Sequence, residues 1–114
     1  MREGVNSGTL YEVGVCVEYE VNAIERPGFA LSHDGITAIG NDVDGWAIST
    51  ASAIHRIRHR RELYYVRDIE SGRRIYLAAL KDKFGRTTLR AMSDGHATNH
   101  LLALKPLRDC CQID

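Results

Sequence analysis

Apolar and polar residues alternate with little interruption over residues 10–24. Tyr11, Val13, Val15, Val17, Tyr19 and Val21 fall on one face, and Glu12, Gly14, Cys16, Glu18, Glu20 and Asn22 on the other. A period of two predicts a strand with one face on a core and one in water. The run exceeds the roughly 5–6 residues of an average strand, so Gly14 is the expected place for a bulge or bend. Arg26-Pro27-Gly28 breaks the pattern. Phe29-Ala30-Leu31 then starts a short strand, Ser32-His33-Asp34-Gly35 turns, and Ile36-Thr37-Ala38-Ile39 forms another strand before a loop over 40–45.

The period changes in the next stretch, 46–80, which holds most of the core candidates and basic side chains. Ala53, Ile54 and Ile57 recur at helical spacing, with Ile48 and Ala51 just upstream, so the spacing predicts a helix over 50–61 with one narrow apolar stripe. Ser49 or Thr50 can cap its first turn. The basic residues of its last turn suit the negative end of the helix dipole. Leu63-Tyr64-Tyr65-Val66-Arg67-Asp68-Ile69 reads as a strand, with Leu63, Tyr65 and Ile69 on one face. Glu70-Ser71-Gly72-Arg73 turns the chain into a strand over 74–80 that is apolar on both faces. A turn over 81–85 leads to a strand over 86–92, and Ser93-Asp94-Gly95 closes it. Residues 96–104 form a helical turn or an extended segment that brings Leu101, Leu102 and Leu104 under the sheet. The expected fold is α+β: a single small domain, an antiparallel meander sheet of about five or six strands with one helix packed on a face.

A chain of 114 residues with 44% apolar content can bury one core without metal or disulfide staples. No apolar run approaches the roughly 20 residues of a membrane helix, and the N-terminal residues lack a signal-peptide core. A cytoplasmic location is the expectation. The three cysteines, Cys16, Cys110 and Cys111, read as free thiols. Net charge is zero, yet residues 1–50 carry two basic residues against eight acidic ones and residues 51–114 thirteen against seven. Such a division concerns the surface field and association, not fold.

A family pattern emerges from the order of core and turn positions. It runs Ile36-Thr37-Ala38-Ile39, Trp46 with Ser49, the Ile54 and Ile57 helix, Tyr64-Tyr65-Val66, two further strands, Asp94-Gly95, and a closing Asn99, Leu101, Leu102, Leu104 and Pro106. It resembles the small bacterial domain of unknown function numbered 3892, over about residues 36–108. Two features depart from the family: Lys105 separates Leu104 from Pro106, and the strand over 10–24 lies outside the match. The resemblance implies a fold and carries no activity, cofactor or catalytic residue. It divides the chain into an N-terminal strand extension over 1–35, a family-like core over 36–108 and a tail over 109–114.

The residues with chemistry to offer are the basic ones. Arg56, Arg58, Arg60, Arg61, Arg67, Arg73, Arg74, Arg86 and Arg90, with Lys81 and Lys83, can form an interaction surface. Guanidinium forks suit phosphate oxygens, and Tyr64, Tyr65 and Tyr76 can stack bases where exposed. Zero net charge argues against that use. It favours a solvated helix face, or a basic patch pairing with the acidic half of the same or another chain.

Other groupings fail on spacing. His96 and His100 stand four apart, but no Glu follows His96, and adjacent Cys110 and Cys111 fit one tetrahedral zinc poorly. Asp42-Val43-Asp44-Gly45 would put Ala51 at the closing Glu of a calcium loop. Ser93-Asp94-Gly95-His96 is a turn, not a triad, and no glycine-rich phosphate loop occurs. No catalytic, metal or cofactor site is therefore expected, and the chain does not read as an enzyme. The favoured reading is a non-enzymatic protein-binding module, for which a phage- or mobile-element-borne inhibitor of a host complex is one form and a homodimer one arrangement. The alternative is a nucleic-acid-binding accessory domain using the arginine-rich helix end and hairpin.

Overall fold

The alternating N-terminal run yields two short strands where the pattern predicts one. In the computed structural model, which describes residues 17–27, 35–59 and 61–107, these are β1 (Val17–Glu20) and β2 (Ala23–Glu25). The alternation stops between them for a geometric reason. The Val21 amide donates to the Tyr65 carbonyl (2.8 Å), while the next amide, of Asn22, donates to the Gly40 carbonyl (3.0 Å). Tyr65 and Gly40 belong to different sheets, so the chain changes sheets at this step. Beyond it Ala23 and Ile24 are both buried, because β2 is covered on both sides. The expected strand over 29–31, the turn positions 32–34, residues 10–16 with Gly14, and Cys16, Cys110 and Cys111 lie outside the described residues.

β3 (Ala38–Asn41) and β4 (Trp46–Ser49) form a hairpin. The turn over 42–45 ends on Gly45 with φ of +78°. The segment over 46–49, expected to lead straight into the helix, is thus a paired strand first. Ser49 ends β4 and caps α1 (Thr50–Arg58), its Oγ accepting from the Ser52 amide at 3.1 Å. Ala53 is buried, and Ile54 and Ile57 pack partly buried against the core, as the stripe requires. The helix stops at Arg58, three residues before the expected end, and His59 caps it by donating to the His55 carbonyl.

The second half is an antiparallel meander of β5 (Glu62–Arg67), β6 (Arg74–Lys81), β7 (Thr87–Ser93) and β8 (His96–Thr98). Asp94 and Gly95 both have positive φ, +52° and +80°, the conformation whose twist matches a two-residue hairpin. Tyr64 and Val66 supply the core from β5, while Ile69 lies beyond the strand and is 98% exposed. The last segment contains β8, a turn and the two-residue β9 (Lys105–Pro106). Leu101 is fully buried there, with Leu102 and Leu104 packed against the core.

The fold is α+β, and its strands divide between two sheets, a division that the single expected meander does not contain. Among the described residues the sheet orders are β9-β2-β3-β4 and β1-β5-β6-β7-β8. Two pairings are parallel, β1 with β5 and β9 with β2. One core, including Ile24, Ile39, Ile48, Ala53, Tyr64, Val66, Leu77, Leu89 and Leu101, joins both sheets and the helix. No helix among the described residues is long and apolar enough to cross a membrane.

Candidate functional site

Register decides which side chains share the outer face of the five-stranded sheet. Val66 lies opposite Ile75, Leu77 opposite Ala91 and Ala79 opposite Leu89, and five of these six are buried in the core. Strand alternation therefore turns the other set outward: Glu18 and Glu20 of β1, Leu63, Tyr65 and Arg67 of β5, Arg74, Tyr76, Ala78 and Leu80 of β6, Thr88, Arg90 and Met92 of β7, and Ala97 of β8.

The acidic and basic halves of the chain meet on this face. Arg74 Nη1 lies 2.7 Å from Glu18 Oε1, to which the Tyr76 hydroxyl also donates at 2.7 Å. The Tyr76 hydroxyl and the Arg74 guanidinium together hold the Glu18 carboxyl below its ordinary range. Arg67 Nε stands 3.5 Å from Glu20 Oε1, and its Nη1 donates to the Gly72 carbonyl at 2.8 Å. Both guanidinium groups lie over the ring of Tyr65, at 4.5 Å for Arg74 and 5.6 Å for Arg67. Tyr65 is itself buried, so this ring is covered by arginine and offers no open stacking surface.

The remaining predicted arginines do not gather into one patch. Arg90 shares the outer face, opposite Ala78, and its buried Nε has no hydrogen-bond partner among the described residues. Arg56 and Arg58 extend from α1, where Arg58 Nη2 donates to Thr87 Oγ1 at 3.0 Å. Arg61 is exposed just past the helix, and Arg73 is exposed in the turn before β6. Arg86 pairs with Asp82 at 3.5 Å and lies over Phe84. Arg60 lies outside the described residues. The histidines also separate. His96 begins β8, whereas His100 sits in a turn, its Nε2 3.1 Å from Asp68 Oδ1 and its Nδ1 2.7 Å from Thr98 Oγ1. They share no helix face, and no cluster of three metal-ligating side chains occurs among the described residues.

Sequence reading missed a second feature, on the inner side of the same sheet. Tyr19 lies beside Tyr64 in the β1–β5 register, and Trp46 approaches from β4. Their ring centroids are 5.5 to 6.0 Å apart: Tyr19 stands edge-on to Trp46 and Tyr64 is tilted to it. Together with Ile48, Arg56 and Glu62 they line a cleft of about 130 Å³. Arg56 Nη1 donates to both Glu62 oxygens at 3.1 and 3.3 Å, and the Tyr64 hydroxyl donates to Glu62 Oε1. Burial, then the Glu62 carboxylate, push the Tyr64 hydroxyl well above the ordinary tyrosine range. The signals were present in sequence, in Tyr19 on the apolar face and in the one tryptophan, but the contact between strands of two sheets was not. No family model, curated protein or solved structure matches the chain.

Proposed function

We propose that the chain is a non-enzymatic protein-binding module that engages its partner through the outer face of the five-stranded sheet. The observation that carries this reading is the composition of that face. Partly exposed Leu63, Ala78, Leu80 and Met92 lie among Tyr76, Arg67, Arg74 and Arg90. Tyrosine, methionine and arginine are the residue types enriched where proteins meet. Pairing of Arg67 and Arg74 with Glu20 and Glu18 reduces the positive charge of the face, which phosphate recognition needs.

The test uses the full chain as bait in lysate from its native host, beside a Leu80→Asp/Met92→Asp variant. A captured partner is then purified and its affinity measured for both forms. The expected result is direct binding by the wild type and at least a tenfold loss in the variant. Fluorescence anisotropy with random single-stranded DNA and RNA supplies the contrary outcome. Binding at about 50 mM salt that falls steeply as salt rises, and is abolished by Arg58→Glu/Arg61→Glu, would replace this reading with a nucleic-acid-binding one. Equal partner affinity for wild type and Leu80→Asp/Met92→Asp would remove the face from the account.

A further inference from the structure

Of the three arginines on the outer face, Arg90 alone has no carboxylate partner among the described residues. Resting on the reading of that face as a protein-binding surface, we infer that its partner is an acidic segment, one Asp or Glu set between apolar side chains, whose carboxylate pairs with Arg90.

The charges of the face point to the anion. Glu18 and Glu20 are its two acids, and both are committed, to Arg74 and Arg67. Three guanidinium groups thus share two carboxylates, and the charge left over stands at Arg90 on β7. Arg67 and Arg74 are further engaged by the ring of Tyr65, and Arg67 by the Gly72 carbonyl. Arg90 differs: its Nε is shut off from water with no hydrogen bond among the described residues, while the residue keeps part of its surface exposed. A guanidinium does not lose its proton in a protein, so this charge persists. A buried donor left without an acceptor is unfavourable, and nothing in the described fold offsets it.

The surroundings of Arg90 determine what carries the anion. Ala78 lies opposite it, with Tyr76 and Leu80 to either side on β6, and Met92 follows on β7. A partner that covers these side chains strips water from Arg90 as well. A neutral carbonyl would bond the guanidinium without cancelling its charge, and a charge desolvated without a counter-charge is strongly unfavourable. A carboxylate cancels the charge and can bond two donors of the planar fork at once. One surplus charge among Tyr76, Ala78, Leu80 and Met92 therefore suits one acid within an apolar segment. A phosphate chain draws on several cations in a row.

The test begins with Arg90→Met, which removes the charge and keeps most of the side chain's length. In urea unfolding of the full chain its midpoint is expected to match or exceed that of the wild type, whereas Arg74→Met, which breaks the pair with Glu18, lowers it. Random twelve-residue peptides displayed on phage are then selected on the wild type, and the enriched sequences are synthesised. They are expected to carry Asp or Glu between apolar residues. Their affinity should fall at least tenfold for Arg90→Met, for Leu80→Asp/Met92→Asp, and for the wild type when the acid of the peptide is replaced by its amide. Peptides that require Leu80 and Met92 but bind Arg90→Met as tightly as the wild type overturn the inference and leave the outer face as the binding surface. Peptides indifferent to both variants count against the inference and the face together. A lowered midpoint in Arg90→Met overturns the inference by giving the residue a structural role. Failure to enrich any peptide overturns it too, while the face keeps its separate test with a captured host partner.

Discussion

Gly40 is the position where the smallest change has the clearest consequence. A Cβ there would stand 2.5 Å from the Trp46 carbonyl oxygen, 2.8 Å from Leu107 Cδ2 and 3.0 Å from Ala47 Cβ. The carbonyl belongs to the strand paired with Gly40, so it cannot retreat without opening the β3–β4 hairpin. Gly40→Ala is expected to destabilise the protein by about 1–3 kcal/mol, the usual cost of overpacking, read as a lower urea midpoint with unchanged slope. Its neighbour Asn41 shows why such positions are hard to find in a sequence. Its Nδ2 donates to the Glu20 carbonyl at 3.0 Å, and its Oδ1 accepts from the Val43 and Asp44 amides at 2.9 and 3.0 Å. An asparagine in Gly-Asn-Asp reads as loop chemistry. Here it is a buried strand residue that ties the end of one sheet to the end of the other, and only the meeting of distant strands makes it so.

Local signals located some elements well and others poorly. The helix, its cap, the hairpin turns and the β5–β6–β7 meander follow from spacing, turn chemistry and β-branched content, all of which act within a few residues. Three elements were not legible on that basis. Trp46-Ala47-Ile48-Ser49 is too short for period two and period 3.6 to be told apart, so β4 looked like the approach to the helix. The break between β1 and β2 has no proline or glycine to mark it. Asn22 serves instead, exchanging hydrogen bonds at 3.1 Å with the side chain and amide of Asp42, whose carboxylate also meets Lys105 Nζ at 3.0 Å. β9 is two residues long and contains a proline, which normally argues against a strand interior. It is tolerated at the edge of its sheet. The candidate arginines were legible as a cluster in the sequence but not as a surface, because neighbouring positions on a strand point to opposite faces. For the helix cap the expectation is direct. Ser49→Ala removes the acceptor for the Ser52 amide and should cost about 1 kcal/mol, seen as a fall in thermal midpoint, while Ser49→Asp should restore it.

The division of charge along the chain is resolved by folding it onto itself. Glu18 and Glu20, from the acidic half, lie against Arg74 and Arg67, from the basic half. These are solvent-facing pairs and contribute modestly one at a time, but they give the protein a definite response to acid. The Glu18 carboxyl is held below its ordinary 4.5 by Tyr76 and Arg74, and the Asp68 carboxyl below its ordinary 3.8 by Ser71 and His100. A carboxylate depressed in the folded state contributes stability that is complete above the unfolded value and disappears as pH falls through the folded one. The urea midpoint should therefore hold steady above about pH 5 and drop below about pH 4. Glu18→Gln/Asp68→Asn should flatten that drop, and an equally steep drop in the double variant would assign the acid response elsewhere.

The parallel pairing of Lys105 and Pro106 with Ala23 and Ile24 has a consequence for synthesis. On the ribosome, residues 23–25 appear early and must wait for some eighty further residues before their outer neighbour exists. The helix and the meander can assemble while the chain is still growing, since their contacts are local. The smaller sheet gains its last strand only when residue 107 has left the exit tunnel, so a stalled nascent chain would expose the backbone of β2 as an unpaired edge.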